Sequence, residues 1–128
     1  MTPRTQQHLD RAERNRKVAD ELLRPAAQFT INPPPLEWAV VAAFYSAVHY
    51  VNAYFWEKKG FDPGAHQNRK AEVQTNPALT PAAAAYLRLD GLAYKARYAA
   101  TFRISTQDVR DLLNTDLEAV RTAVFSAI

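Results

Sequence analysis

The chain has 128 residues, 48% hydrophobic and 23% charged, with a net charge of +3 and no cysteine. That composition excludes an intrinsically disordered chain, and the missing cysteines exclude disulfides and thiolate metal sites. A single domain is expected at this size, able to bury about two-thirds of the surface of its unfolded form. The charge is unevenly spread, with eight basic against three acidic residues over 58–103 but six against six over 1–57. A local positive field of this kind attracts phosphates, although many such fields are only a solvated face. The first thirty residues are polar and mixed in charge, without the apolar run of a secretory signal, so a cytoplasmic protein is expected.

Strand signals are poor, and Asp90-Gly91 falls inside a helical pattern, so the expected fold class is all-α. A first helix over about Thr5 to Leu23 carries Leu9, Ala12, Ala19, Leu22 and Leu23 as a thin apolar stripe, and is read as peripheral over residues 1–31. Asn32-Pro33-Pro34-Pro35 forces an extended connection. The second helix runs from Leu36 to Lys59, with lysines in its last turn and Gly60 beyond. After the turn at Phe61-Asp62-Pro63-Gly64, a short helix spans about His66 to Gln74. Thr80-Pro81 starts a long helix to about Phe102, and Ser105 with Asp108 opens a final helix that packs over 105–128. Four long helices and one short one imply an antiparallel bundle.

Trp38 to Trp56, WAVVAAFYSAVHYVNAYFW, holds nineteen residues without a charge. Such a helix extends about 28 Å, near the hydrocarbon thickness of a bilayer. Ser46, His49, Asn52 and three tyrosines argue against membrane insertion, since most of them fall at mid-depth. The expected role is the spine of a bundle, with two seams. Val41, Phe44, Val48, Val51 and Phe55 form the core seam, and Trp38, Ala42, Tyr45, His49, Asn52 and Trp56 form a second, polar in its middle. Tyr45, His49 and Asn52 are candidates for a buried polar network or a cleft. No pair among His8, His49 and His66 has the spacing of a helical metal-ligand motif, so no metal and no cofactor is expected.

The stretch FYSAVHYVNAYFWEKKG, followed by His66-Gln67-Asn68-Arg69, Tyr86-Leu87-Arg88-Leu89 and Lys95-Ala96-Arg97-Tyr98, resembles bacterial HEPN-domain proteins over residues 36–102. The resemblance implies an all-α bundle of four or five helices that commonly dimerises. Family members include metal-independent ribonucleases of toxin and defence systems, partners of minimal nucleotidyltransferases, and binding or scaffolding modules. The ribonucleases carry an arginine and a following histidine with four to six residues between them, and no such pair occurs here, Arg4 and His8 having three between them and lying outside residues 36–102.

Metal-free RNA cleavage needs a general base and a cation for the phosphorane charge. His66 and Arg69 lie three apart on the short helix, and Arg97-Tyr98 on the next long helix can face them, so His66, Arg69, Arg97 and Tyr98 are the candidate phosphate-binding set, with His66 the candidate catalytic group. Equally, His66 can cap its helix while Arg69 and Arg97 pair with Glu72 or Asp90. Three functions stay open. The first is a dimerising module that binds nucleotide, RNA or a protein partner such as a nucleotidyltransferase. The others are a ribonuclease with an atypical His/Arg site and a structural dimer without ligand.

Overall fold

A computed structural model describes all residues, 1–128, as helices and connections with no strand. Helix α1 (Pro3–Glu21) starts earlier than the sequence pattern suggests. Thr2 is its N-cap, accepting a hydrogen bond from the Thr5 amide at 3.0 Å, and Pro3 occupies the first turn, where its missing N–H costs nothing. Helix α2 (Leu36–Lys58) ends where Gly60 takes φ 77°, a left-handed conformation suited to glycine. Helix α3 spans His66–Thr75. A single 3-10 turn (Thr80–Ala82) precedes α4 (Ala83–Tyr98), so Thr80 does not cap the helix, and its hydroxyl instead donates to the Pro77 carbonyl at 3.2 Å. Helix α4 stops at Tyr98 and not at Phe102, because Ala99 turns extended.

The last rod begins as expected, with Ser105 accepting from the Asp108 amide at 3.0 Å. It runs through α5 (Thr106–Asp111), a π-helical segment (Leu112–Leu117) and α6 (Glu118–Ala127). The wider π turn lets Leu112, Leu113, Asp116 and Leu117 all face inward. Asp116, which interrupts the apolar stripe in the sequence, thereby reaches Arg88 of α4, whose Nη2 lies 2.6 Å from its Oδ1.

Helix α2 is the spine. It touches α1, α4, α5, the π segment and α6, and thirteen of its 23 residues are buried. Phe44, Val48, Val51 and Phe55 of the core seam are buried, whereas Val41 is only half-buried. No helix is long and apolar enough to cross a membrane.

Helix α1 is less peripheral than its polar sequence suggests. The contacts Thr5–Glu57, His8–His49, Ala12–Ser46 and Glu13–Tyr50 tie the first half of α1 to α2 between Ser46 and Glu57. Ala12 and Ala19 are fully buried, and the Ser46 hydroxyl donates to the Ala12 carbonyl at 2.7 Å. Small side chains on both sides bring the two backbones close, and a thin stripe then suffices to bury the helix. Leu22 and Leu23, by contrast, are only partly covered.

Candidate functional site

Helices α2, α3 and α4 bring Tyr45, Asn52, His66, Arg69 and Arg97 into one connected cluster. Arg69 is its centre. Only 4% exposed, it donates from Nε to Asn52 Oδ1 at 2.9 Å, from Nη1 to His66 Nδ1 at 3.2 Å and from Nη2 to the Gly64 carbonyl at 3.1 Å. Gly64 presents that carbonyl from a turn at φ 80°, again a glycine conformation. Neither Glu72 nor any other carboxylate forms an ion pair with Arg69. The charge is held by neutral acceptors alone.

This contact decides the state of His66. Arginine has no acceptor atom, so the Nδ1 of His66 must accept with its lone pair, and a neutral ring then carries its proton on Nε2. Burial, and then the neighbouring Arg69 and Arg97 guanidiniums, push the imidazole below its usual value, in the same direction as the geometry. His66 is the first residue of α3 and not its cap, which is Ala65. Its ring meets Tyr45 edge-on at 5.9 Å and Phe44 at 5.8 Å, so it stands over the aromatic part of α2 while the residue itself remains exposed.

Arg97 approaches from α4. Its Nη1 donates to the Tyr45 hydroxyl at 2.8 Å and its Nε to the Ala93 carbonyl at 3.2 Å, while the guanidinium lies 5.8 Å from the Tyr45 ring and 5.4 Å from that of Tyr98. It does not pair with Asp90, which is taken by Lys70 at 3.7 Å. Tyr98 is 69% exposed, and the ring of Tyr94 lies tilted against it at 5.0 Å. Beyond Arg97 opens a cleft of about 500 Å³, walled by Trp38, Arg97, Tyr98, Phe102 and Arg103. Trp38 is 53% exposed there, although the spacing along α2 places it on the same seam as Tyr45.

Of the second-seam residues, Tyr45 and Asn52 join this cluster and His49 does not. His49 faces α1, where its Nδ1 lies 2.9 Å from Nδ1 of His8 and the rings stack at 5.2 Å. One nitrogen donates and the other accepts, so the contact holds one proton and not two. Burial, then the charge of His8, lowers the His49 ring to about 4, and burial lowers His8 as well. Trp56 donates to Asp62 at 3.0 Å and carries the Arg4 guanidinium over its ring at 5.0 Å.

No family model, no curated protein and no solved structure matches this chain. The chemistry must be read from the geometry. No group of three or more metal-ligating side chains occurs. The cluster instead offers an exposed imidazole and a half-buried guanidinium, both held in place from below, beside an aromatic cleft with a second arginine. Arg103 and Tyr86 are the residues that helix spacing alone did not single out, and Trp38, grouped with the second seam, faces the cleft. Tyr86 is 1% exposed, within the field of the Arg69 charge, with its hydroxyl pushed up to about 12 by burial.

Proposed function

We propose that this chain is a HEPN-like binding module that takes a nucleotide or a short single-stranded RNA across His66, Arg97 and the Trp38–Tyr98 cleft. The observation that carries the reading is Arg97, fixed by Tyr45 between two tyrosine rings at the mouth of a cleft with an exposed tryptophan and a second arginine. Guanidinium groups grip phosphate, and an exposed aromatic face stacks a base of any identity. In this reading Arg69 orients His66 through Nδ1 and does not itself touch the ligand.

Binding is favoured over cleavage by the tautomer. A general base needs a free lone pair, but Nδ1 of His66 accepts from Arg69 and Nε2 carries the proton, which suits donation to a phosphate oxygen. The absence of the Arg-to-His spacing points the same way. The HEPN resemblance adds a homodimer, a cytoplasmic setting in a toxin-antitoxin or defence pair, and a nucleotidyltransferase-type partner to the proposal. Mass measured by light scattering after gel filtration tests the dimer.

The binding reading is tested by titrating the chain with AMP and with a uridine hexanucleotide while following tryptophan emission. Quenching that is lost in Trp38→Phe, weakened at least tenfold in Arg97→Ala, and diminished as salt rises is the expected result. Absence of any saturable signal in the wild type overturns it.

A further inference from the structure

A second cleft, of about 600 Å³, lies between α4 and the last rod, on the other side of the Phe102–Arg103 wall. At its edge stands Asp116, 7% exposed, carried there by the π segment. Both hydrogen bonds from Arg88, from Nε at 3.1 Å and from Nη2 at 2.6 Å, end on Oδ1. Oδ2 has no partner in the protein. No fully enclosed side-chain polar atom is left unpaired anywhere in the chain, so this oxygen reaches open space, and the space that Asp116 lines is the cleft.

A carboxylate oxygen in such a position accepts and cannot donate, so the matching ligand group is a donor, and a charged one gains most. The rest of the lining is balanced in charge. Asp108 and Asp111 add two carboxylates, against the already engaged Arg88 and the guanidinium of Arg103, whose Nη1 is turned onto the Phe102 carbonyl at 2.7 Å. Leu92, Phe102 and Ile104 supply an apolar wall. The volume falls within the range of about 300–1,000 Å³ usual for small-molecule sites.

We propose that this cleft binds a small organic amine, with its ammonium on Asp116 Oδ2 and its apolar stem against Leu92, Phe102 and Ile104. The π segment is then the device that builds the site. In a regular helix one residue fewer would occupy the turn, and Asp116 and the leucines beside it could not all face the same side. The proposal does not depend on the nucleotide reading, since the two clefts share only the Phe102–Arg103 wall and no side chain of the His66–Arg69 cluster borders this one.

The test follows amide shifts in ¹H–¹⁵N spectra of the full chain during titration with phenethylamine, and in parallel with phenethyl alcohol, its neutral counterpart. Saturable shifts confined to residues around Leu92, Ile104 and Asp116 are expected with the amine and none with the alcohol. Asp116→Asn should weaken amine binding at least tenfold, and Asp111→Asn, at an exposed position, severalfold. Equal responses to amine and alcohol, or no saturation with either, would overturn the proposal even if Asp116→Asn failed to fold.

Discussion

Arg69 Nη1 donates to His66 Nδ1 at 3.2 Å, so a buried guanidinium sets the tautomer of an exposed imidazole. Replacing Arg69 with methionine should therefore act at two places. The folded chain should lose about 1–3 kcal/mol, because Asn52 Oδ1 is buried and would be left without its donor. The His66 ring should titrate at a higher pH than in the wild type, since Arg69 follows only burial among the causes that lower it. Histidine C–H resonances followed by NMR measure the second effect. An unchanged His66 titration in a folded variant would show that the contact does not govern the ring.

Helix spacing made the two halves of this cluster legible to different degrees. His66 and Arg69 sit three apart on one short helix, and they meet as that spacing requires. Arg97 was legible as a basic residue in a positive segment, but not its partner, because the Tyr45 hydroxyl lies 52 positions away and the pairing depends on how α2 and α4 cross. His49 and Asn52 share a turn of α2, which suggested one network. A step of three residues still rotates about 60° around the helix, enough to aim His49 at α1 and Asn52 at α3. The helical boundaries were clearest where a cap or a glycine marked them, at Ser105 and Gly60. They were least clear at the end of α4 and at the π segment, where nothing local signals the change.

The His8–His49 contact predicts a pH dependence of stability. Both rings titrate lower in the fold than in the unfolded chain, so the unfolded state binds more protons once the pH falls through about 6.5. Stability should be greatest above that value and should decline until His49 is itself protonated, near 4. Because the pair is partly open to solvent, the loss should be about 1–2 kcal/mol. Urea unfolding at pH 7.5 and pH 5 measures it, and His49→Gln should flatten the difference. A wild-type curve already flat over this interval would contradict the arrangement.

Tyr50 joins α2 to α1 and α6. Fully buried as a residue, it donates its hydroxyl to Glu13 Oε1 at 2.6 Å, and the same oxygen accepts from Arg121 Nε at 3.2 Å. Burial raises the phenol well above its ordinary range, and the bond to the Glu13 carboxylate acts in the same direction, so the tyrosine donates at every accessible pH. Tyr50→Phe keeps the ring and removes one charge-assisted bond while Glu13 retains its arginine. A loss of about 1–2 kcal/mol is expected in thermal or denaturant unfolding. A neutral effect would mean that Arg121 alone satisfies the carboxylate.

The position of α1 can be tested at Ala12. This residue is 0% exposed, its carbonyl accepts from Ser46 at 2.7 Å, and no side chain larger than a methyl fits while that contact stands. Ala12→Leu should push α1 away from α2 and cost about 2–3 kcal/mol through overpacking. The same substitution at Arg14, on the exposed face of α1, should change stability by no more than about 0.5 kcal/mol. If Ala12→Leu proved as mild as Arg14→Leu, α1 would not be packed on the spine in solution. The polar first helix would then be free to swing out through the proline-rich connection at residues 32–35, and the contacts of His8 and Glu13 with α2 would be lost with it.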